Sequence, residues 1–261
     1  MIRVMTFNLR TAEARDGENA WANRRDLALE RIHSFAPDLL GLEEVHDAEQ
    51  SADVRAALPG YTWYGVRRGG SGPAPLEMTP ALVRSEAFEV LEDRVFWLSP
   101  TPDVPGSTGW GAAYARTAVQ LRLRHRASGQ ELYWIHTHLD YLPLAVRGMS
   151  HLLREVIDDL PLPIPLMLTG DFNAGKRSLV YRTLLGRATP RRLWDALRLA
   201  QPDGRGEGTF HAFGRLPRAQ AIDWILVSEG LRVLEAGIDR TARDGRFPSD
   251  HFPVWAILET P

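Results

Sequence analysis

Leu166-Met167-Leu168-Thr169-Gly170-Asp171-Phe172-Asn173 is the stretch of sequence that decides the fold class. Its first four residues are an apolar run of strand length, and such a run bounded by turn residues predicts a buried strand. The strand ends abruptly, and Asp171 and Asn173 then place a carboxylate and a carboxamide two positions apart. Because loops at strand ends often carry binding and catalytic groups, we expect a functional site there.

Polar residues at the ends of strands recur along the chain. Segment 221–227 is an apolar strand with one acidic residue, and Ser249-Asp250-His251 comes just before another strand. The residues that share this position are Asn8, Glu44, His138, Asp171, Asn173, Asp223, Asp250 and His251. Strand-end loops of a layered fold gather at one rim, so these side chains can converge although they are far apart in sequence.

Hydrophobic periodicity predicts strands interrupted by helices along the whole chain. The predicted helices span residues 20–35, 47–57 and 145–160, and the predicted strands span 2–9, 39–42, 61–66, 81–83, 88–98, 117–123, 131–138, 166–169, 221–227, 231–238 and 252–258. Segments 179–185 and 193–199 are predicted as helix or loop. Helices interrupt each half at similar places, which favours two facing sheets with helices packed outside. The expected fold is a four-layer α/β sandwich of the α+β kind, with two facing, mostly antiparallel mixed β-sheets flanked by helices.

Length and composition set the bounds on this fold. The chain has 261 residues, and layered α/β domains of this length commonly fold as one unit, so we expect a single domain over 1–261. With 44% hydrophobic and 25% charged residues, it can bury a large core. Met1 leads directly into the first predicted strand without a signal peptide, and no apolar stretch approaches the length of a membrane span. We expect a cytoplasmic monomer with no membrane partner.

The absence of cysteine restricts the possible metal sites. Any metal must take oxygen or imidazole ligands, which excludes cysteine-ligated zinc and iron–sulfur centres. Oxygen ligands favour magnesium, manganese or calcium.

The formal net charge of −2 gives no electrostatic case for tight, sequence-independent binding of nucleic acid. Local arginine groups occur at Arg67 and Arg68, at Arg122, Arg124 and Arg126, and at Arg187, Arg191 and Arg192. A solvated surface is the simpler interpretation of each group. Nucleic acid therefore stays one possible partner among phosphoester substrates.

Six short motifs occur in the order found in one known family. They are Thr6-Phe7-Asn8, Leu42-Glu43-Glu44-Val45, Thr137-His138-Leu139-Asp140, Gly170-Asp171-Phe172-Asn173, Ile222-Asp223-Trp224 and Ser249-Asp250-His251. Together they resemble the endonuclease/exonuclease/phosphatase superfamily, which includes pancreatic deoxyribonuclease, abasic-site endonucleases, inositol polyphosphate 5-phosphatases, neutral sphingomyelinases and deadenylases. The resemblance spans nearly the whole chain, and it implies a metal-dependent phosphoesterase.

The resemblance also implies a partner for His138. The segment from Phe96 to Ala118 looks like a bacterial and fungal subgroup in which a glutamate follows the glycine-rich loop, so Glu77 is expected to pair with His138. Two positions depart from the family pattern. Glu43 stands where glutamine is frequent, and its carboxylate is expected either to strengthen metal binding or to face solvent. Tyr141 stands where many relatives have a second histidine.

Hydrolysis of a phosphoester needs a cation that neutralises phosphoryl oxygens, a base for the attacking water and a group that stabilises the leaving oxygen. Hard divalent ions prefer carboxylate and carboxamide oxygens. We therefore expect Glu44, with Asn8 and Asp250, to hold Mg²⁺, with Mn²⁺ as an alternative.

The other residues of the set supply proton transfer and contacts to phosphate. His251 is the expected general base or transition-state donor, and Asp223 is expected to orient its imidazole. Asp171 is expected to activate or position the water, and Asn173 to donate to a phosphoryl oxygen. A single residue of this kind is more often a cap, a turn residue or a structural histidine, so the inference rests on the whole set.

A second group of contacts is expected on the other side of the phosphate. His138 is expected to donate to it, with Glu77 as its carboxylate partner, and Arg116 to make a charge-assisted contact. His136 shares the strand face of His138 and is expected to pack behind the site. For His211, a contact with substrate and a structural role in its loop are equally open.

The motifs leave several functions open within and beyond one reaction class. A nuclease would use stacking aromatic side chains, for which Trp63, Trp97, Trp110 and Tyr114 are candidates. A phosphatase, or an inositol or lipid phosphodiesterase of the same fold, is the alternative, although only Trp110 suggests an exposed apolar hairpin. A catalytically inactive binding module is the alternative of a different class, and the completeness of the polar set argues against it.

Overall fold

The computed structural model describes residues 1–72, 75–186, 188–204 and 206–260, which contain five α-helices and fourteen β-strands. The helices are α1 (Trp21–Phe35), α2 (Glu49–Ala57), α3 (Pro143–Asp159), α4 (Leu179–Leu185) and α5 (Ala196–Ala200). The strands are β1 (Ile2–Asn8), β2 (Leu39–Glu43), β3 (Val45–His46), β4 (Tyr61–Tyr64), β5 (Glu77–Met78), β6 (Ala81–Arg84), β7 (Phe88–Trp97), β8 (Thr117–His125), β9 (Glu131–His138), β10 (Leu166–Asp171), β11 (Leu193–Asp195), β12 (Asp223–Ser228), β13 (Arg232–Ile238) and β14 (Val254–Glu259). A short 3-10 turn, Gly17–Asn19, comes before α1.

These strands form two six-stranded sheets and one two-stranded ladder. The first sheet has the order β13-β14-β1-β2-β6-β4, the second has the order β11-β12-β10-β9-β8-β7, and β3 pairs with β5. In each large sheet the central pair is parallel, β1 with β2 and β9 with β10, and the other pairs are antiparallel. A parallel pair needs a crossover connection, and α1 and α3 provide the two crossovers. The predicted mixed, mostly antiparallel sheets are confirmed.

Three hydrophobic clusters separate four layers of structure. Val4 and Met167 belong to the cluster between the two sheets. Met5 and Phe7 face the other way, onto α1 and α2, whereas Leu168 faces α3 and α4. Successive side chains of a strand point to opposite faces, so strands buried on both faces are continuous apolar runs in the sequence. The order helix, sheet, sheet, helix confirms the four-layer sandwich, and full burial of each large apolar side chain contributes roughly 1.5–3 kcal/mol.

One rim of the two sheets collects the strand ends that carry the predicted site. Asn8 ends β1, His138 ends β9 and Asp171 ends β10. Asp223 begins β12, which runs antiparallel to β10, and it lies directly opposite Asp171. His138 lies opposite Asp171 on the other neighbouring strand. The strand directions therefore bring polar residues that are distant in sequence to one place.

The last third of the chain differs in detail from the sequence prediction. Segment 193–199, expected as helix or loop, divides into the short strand β11 and the helix α5. The division occurs because the carboxylate of Asp195 accepts hydrogen bonds from the backbone N–H groups of Leu197 and Arg198, at 3.0 and 3.3 Å, and so caps the helix. The ladder of β3 and β5 was not predicted, since each of its strands has only two residues.

The arginine groups of the sequence have separate structural roles. Arg122 and Arg124 form ion pairs with glutamates on the surface of the second sheet, as a solvated face would. Arg191 is buried and donates to backbone carbonyls. Arg187 lies outside the described residues. Arg68 belongs instead to the site described below.

The longest helix, α3, has 17 residues and packs one apolar stripe on the second sheet. Met149, Leu153 and Ile157 recur at four-residue spacing and are fully buried in that interface. No helix among the described residues is long and apolar enough to cross a membrane. The monomeric state and the cytoplasmic location stay predictions.

Candidate active site

The turn after β10 fixes the positions of Asp171 and Asn173. Gly170 has φ +150°, and a Cβ atom there would lie 1.9 Å from the carbonyl oxygen of Thr137, so only glycine fits. The carboxylate of Asp171 accepts a hydrogen bond of 2.9 Å from the backbone N–H of Asn173. Asn173 itself has φ +47°, in the left-handed region that asparagine tolerates. The backbone of this turn therefore holds both side chains in place.

Asn8 links the two sheets at the site. Its Nδ2 atom donates to Asp171 Oδ2 at 3.0 Å and to Glu44 Oε1 at 3.2 Å. Glu44 follows β2 with φ +56°, an uncommon conformation for a residue other than glycine and one that clusters at functional sites. Burial opposes ionisation of Glu44, but His251, Arg10 and Asn8 hold its pKa below the ordinary value. Glu44 is therefore an ionised carboxylate beside Asp171.

Arg10 lies among three carboxylates at the centre of the site. Its guanidinium nitrogens are 2.9 Å from Asp16, 3.8 Å from Asp250 and 3.9 Å from Glu44. Burial raises the pKa of Asp250, His251 opposes this effect, and the charge of Glu44 adds to it. Crowded carboxylates of this kind are stabilised by cations. Arg10 was not among the predicted site residues.

His251 forms a buried, hydrogen-bonded pair with Asp223. Its Nδ1 atom donates to both carboxylate oxygens of Asp223, at 2.9 and 3.1 Å. Burial alone would lower the pKa of His251, but the carboxylates of Asp223, Asp171 and Asp250 raise it well above the ordinary value. The imidazole is therefore protonated on both nitrogens, and Nε2 lies 3.8 Å from Asp171 Oδ2.

His138 lies on the other side of Asp171 and has a cation as its partner. Arg116 Nη1 donates to His138 Nδ1 at 2.9 Å. Burial lowers the pKa of His138 well below the ordinary value, and the charges of Arg116 and Arg68 lower it further. The imidazole is therefore neutral, and because Arg116 can only donate to Nδ1, the ring carries its proton on Nε2, 3.5 Å from Asp171 Oδ2. The Nδ2 atom of Asn173 also lies 3.0 Å from Nε2, and it donates to the carbonyl oxygen of Leu139 at 2.9 Å.

Glu77 reaches His138 through Arg116 and not directly, which corrects the pairing expected from the sequence. Its Oε1 atom lies 2.6 Å from Arg68 Nη1 and 3.5 Å from Arg116 Nη1. Burial raises the pKa of Glu77, and the charge of Glu44 raises it further. The long side chain of Arg116 occupies the space between Glu77 and the imidazole. Arg68 is a second site residue that the sequence did not reveal.

Asp171 is shared by the two histidines. Burial, and then the charge of Asp223, raise the pKa of Asp171 to about 7, against the opposing effects of His251, Asn173 and Asn8. A carboxyl group with a pKa near neutrality exchanges a proton readily at physiological pH. The site therefore has a proton-exchanging carboxyl group between a cationic and a neutral imidazole.

Glu43 lies beneath the site and is fully buried. Its carboxyl group accepts a hydrogen bond of 2.5 Å from Thr6 Oγ1 and lies 3.6 Å from His136 Nε2. Burial raises the pKa of Glu43 well above the ordinary value, and the charge of Asp223 raises it further, so the group is protonated. Full burial shows that Glu43 does not face solvent, so that expectation was wrong, and the raised pKa disfavours the negative charge through which Glu43 was expected to strengthen metal binding. His136 packs behind the site, where its ring fills the space over Gly41.

Two adjoining cavities at the rim form one cleft. The His251 pocket, of about 510 Å³, is lined by residues that include Asp16, Asp171, Phe210, Phe213, Arg215, Gln220, Asp250 and His251. The His138 pocket, of about 490 Å³, is lined by residues that include Glu13, Arg68, Glu77, Tyr114, Arg116 and His138. Arg10, Glu44, Tyr141 and Asn173 line both cavities. His251 and His138 therefore line the two halves of one cleft.

Two groups of side chains in the cleft could hold a divalent ion. The ligand atoms of Asp171, Asp223 and His251 lie within 4.8 Å of one another, although a metal ion there would have to displace a proton from His251. The predicted group of Asn8, Glu44 and Asp250 lies beside them. Both groups offer carboxylate oxygens with at most one imidazole, which is the donor set of hard divalent ions. The chemistry of the cleft therefore fits a magnesium or manganese ion.

The profile of the Endonuclease/Exonuclease/phosphatase family matches residues 5–251 of the chain. The chain belongs to this family. A structure of an endonuclease/exonuclease/phosphatase from Bacteroides vulgatus is 31% identical, has a TM-score of 0.90, and covers 100% of this chain and 99% of its own. The mannosyl-6-phosphatase Bt3783 from Bacteroides thetaiotaomicron is 29% identical, has a TM-score of 0.85, and covers 99% of this chain and 100% of its own.

A curated relative from Acanthamoeba polyphaga mimivirus, an uncharacterised protein, is 26% identical over 170 residues. The match covers 63% of this chain and 63% of the viral protein. These matches confirm the predicted family and fold. Of the three matched proteins described here, the one named for a specific activity is a phosphatase.

The family fold brings all the predicted site residues to one rim. They are Asn8, Glu44, Glu77, Arg116, His138, Asp171, Asn173, Asp223, Asp250 and His251. Among the candidate aromatic residues, Tyr114 lines the cleft, whereas Trp97 is buried and donates to a backbone carbonyl. His211 is buried and stacks on Phe252 at 3.9 Å, which indicates a structural role. Arg10 could have been found from its position, since it follows the Thr6-Phe7-Asn8 motif at the same strand end.

Proposed function

We propose that this chain is a divalent-metal-dependent hydrolase of phosphoester bonds. The observation that carries the proposal is Asp171 between two histidines with opposite partners, His251 backed by Asp223 and His138 backed by Arg116. This arrangement offers one proton acceptor and two imidazole N–H donors to the same small volume. Attack of water on an anionic phosphoryl group needs those groups, because negative charge on its oxygens must be stabilised while a proton is removed.

Glu44, Asp250 and Asn8 are the residues that we assign to the metal ion, with Mg²⁺ as the first choice and Mn²⁺ as the second. The alternative group uses His251, whose Nδ1 atom is already bonded to Asp223. Arg10 contacts both Glu44 and Asp250 and compensates part of their charge. When bound, the ion would neutralise phosphoryl charge and lower the cost of bringing an anion to this acidic cluster.

The side chains on either side of Asp171 have different roles in the proposed reaction. Asp171 accepts a proton from the attacking water, since its pKa lies at about 7. The bond between phosphorus and the ester oxygen breaks as the water attacks, and His251 donates its Nε2 proton to that leaving oxygen; Asp223 raises the pKa of His251 so that the imidazole carries this proton. His138 and Asn173 donate neutral hydrogen bonds to another phosphoryl oxygen, and Arg116 holds the imidazole in the required tautomer.

The substrate that we infer is a small phosphoester. Each pocket has the volume of a small-molecule site. A sugar phosphomonoester is supported by the 29% identity to a mannosyl-6-phosphatase. A phosphodiester, including a nucleic-acid strand, is the second candidate, and the exposed rings of Tyr114 and Tyr141, 6.3 Å apart at the cleft, support it as stacking surfaces.

Hydrolysis of matched substrates tests this proposal. We would compare p-nitrophenyl phosphate, bis-p-nitrophenyl phosphate and mannose 6-phosphate, with Mg²⁺, Mn²⁺ or EDTA, in wild type and in Asp171→Asn. The proposal requires hydrolysis of at least one substrate that EDTA abolishes and that Asp171→Asn reduces by about 10²-fold or more. His125→Gln is the control, because His125 lies at the end of β8 remote from the rim. Equal rates in wild type and Asp171→Asn would favour an inactive binding module.

We further propose that residues 1–261 act as one domain and as a monomer. The cluster between the sheets combines Val4 and Leu39 from the first half of the chain with Met167 and Ile225 from the second half. Neither half could bury this surface alone. A single cooperative unfolding transition and a monomeric mass in analytical ultracentrifugation would agree with this, and two separate transitions would contradict it.

A further inference from the structure

Two arginine side chains in the His138 pocket share one carboxylate. Arg68 and Arg116 both contact Glu77 Oε1, at 2.6 and 3.5 Å. Both are nearly buried, with 9% and 5% of their surface exposed. Their guanidinium carbons lie 4.4 and 5.6 Å from the ring centroid of Tyr114. The ring and the carboxylate thus hold two cations close together at the wall of a cavity.

Arg68 and Arg116 place two positive charges at this wall, with Glu77 beside them and the ionised Glu44, which we assign to the metal ion, elsewhere in the same pocket. Glu77 is one carboxylate against two guanidinium groups, and burial raises its pKa, which favours its neutral form. Glu13, which also lines the pocket, is exposed, so solvent screens its charge. Among the described residues, the buried Nε atoms of Arg68 and Arg116 have no hydrogen-bond partner. Burying two like charges together is unfavourable unless an anion joins them.

The two arginines have different neighbours, which separates their roles. Arg116 bonds to His138 and is therefore part of the group that contacts the reacting phosphoryl oxygens in the proposed mechanism. Arg68 pairs with Glu77 and lies over the ring of Tyr114, which is 44% exposed. A guanidinium group held in position by a carboxylate and a ring keeps its remaining N–H groups available for charge-assisted hydrogen bonds to an oxyanion.

We propose that the His138 pocket is a subsite for a second oxyanion of the substrate, and that Arg68 is the residue that binds it. The inference rests on the proposed function, because the first oxyanion is the phosphoryl group at Asp171. The substrate class is then a small molecule that carries one phosphoester and one further phosphate or carboxylate group. Arg68 is a specificity residue in this account, and it does not take part in proton transfer.

Matched phosphonates measure the contribution of the second anion without turnover. The probes are propylphosphonate with one anionic group, 3-phosphonopropionate with an added carboxylate, and propane-1,3-bisphosphonate with an added phosphonate, together with their shorter and longer homologues. Dissociation constants in Mg²⁺ buffer come from isothermal titration calorimetry. In wild type, we expect at least one two-anion probe to bind about tenfold or more tightly than the one-anion probe of equal length. The carboxylate and bisphosphonate arms identify which oxyanion fits.

Variants of Arg68 test whether the tighter binding of the two-anion probes depends on this residue. In Arg68→Gln the gain falls below about threefold while the one-anion probe keeps its affinity, and Arg68→Lys retains part of the gain. Arg67→Gln is the matched control, because Arg67 is the adjacent residue, pairs with Asp47 and is not a lining residue of the pocket. Tyr114→Ala is a second variant, which removes the ring beside Arg68 without removing a buried charge. We expect it to lower the affinity for the two-anion probes and to leave the affinity for the one-anion probe unchanged.

Three results would overturn the subsite. They are the absence of any gain in wild type, including the absence of phosphonate binding, a gain that survives in Arg68→Gln, and an equal loss of affinity for one-anion and two-anion probes. The last result would place Arg68 on the reacting phosphoryl group. If the protein hydrolyses a phosphoester but binds two-anion probes no more tightly than one-anion probes, the subsite is wrong and the proposed function stands. If it binds two-anion probes more tightly but hydrolyses none of the test substrates, the proposed function is wrong and a two-anion binding site is left.

Discussion

The His251 pocket and the His138 pocket differ in the charge behind their histidines. Both imidazoles lie at similar distances from the same oxygen of Asp171, 3.8 and 3.5 Å. Asp223 lies behind one and Arg116 behind the other. The same residue type is therefore cationic in one pocket and neutral in the other. The partner on Nδ1, and not the histidine itself, sets which of the two imidazoles is charged.

The largest effect is expected on the His251 side. His251→Gln removes a charged donor and leaves Asp223 buried without its partner, so kcat should fall by about 10³-fold. Steady-state kinetics on the best substrate from the panel above measure this, with His125→Gln as the control that retains wild-type activity. A loss below tenfold would show that the imidazolium has no part in the chemical step.

A smaller effect is expected on the His138 side. His138→Gln replaces a neutral N–H donor by another neutral N–H donor that is less well placed, so kcat should fall by about 10²-fold or less. The same kinetic assay applies, with circular dichroism to verify folding. If His138→Gln were as damaging as His251→Gln, the two pockets would not differ in the way that their partners indicate.

A third effect concerns the stability of the fold and the buried imidazole of His136 beneath the two pockets. Burial lowers the pKa of His136 to about 4, so the folded state keeps this imidazole neutral while the unfolded chain takes up a proton below about pH 6.5. His136 therefore contributes stability that is present above pH 6.5 and is lost as the pH falls toward 4. The gap between these pKa values corresponds to about 3 kcal/mol.

Urea unfolding from pH 7 to pH 4 measures that contribution. His136→Gln should be less stable than wild type at pH 7, and the difference should shrink by up to about 3 kcal/mol at pH 4. The exposed His151 supplies the control, since His151→Gln should keep the wild-type dependence. Parallel curves for wild type and His136→Gln would contradict the neutral, buried imidazole.

The contribution of Glu43 to stability changes with pH in the opposite direction to that of His136. The raised pKa of Glu43 means that the folded state holds a proton which the unfolded chain releases, so its contribution is present below pH 4.5 and is lost as the pH rises. Glu43→Gln mimics the protonated form and should stabilise the protein at pH 8 relative to wild type, with a smaller gain at pH 5. Chemical denaturation at the two pH values checks this, and destabilisation at pH 8 would argue against a protonated Glu43.

The strands and the gathering of polar residues at one rim could be predicted because the signals are local, whereas Glu77 was expected only from the family resemblance. The apolar runs that end at Asn8, His138 and Asp171 reflect strands buried on both faces, and the strand directions bring their ends together. The burial of Glu43 could also have been predicted, because alternation along β2 places it on the same face as Leu39, between the two sheets.

The partners of the site residues could not be predicted from local pattern. Whether Glu77 or Arg116 reaches His138 depends on the length of a side chain across neighbouring strands. Arg68 resembles an ordinary surface arginine in the sequence, and only the tertiary structure places it in the cleft. The division of segment 193–199 depends on a single capping carboxylate, that of Asp195.

Imidazole NMR gives the most direct test of the difference between the pockets. Histidine labelled with ¹³C and ¹⁵N is titrated from pH 4 to pH 9, and the variants His138→Gln and His251→Gln assign the two resonances. We expect the pKa of His251 above 6.5 and that of His138 below it, with Asp223→Asn lowering the first and Arg116→Gln raising the second. Two histidines that both titrate near 6.5, or in the reverse order, would contradict the account.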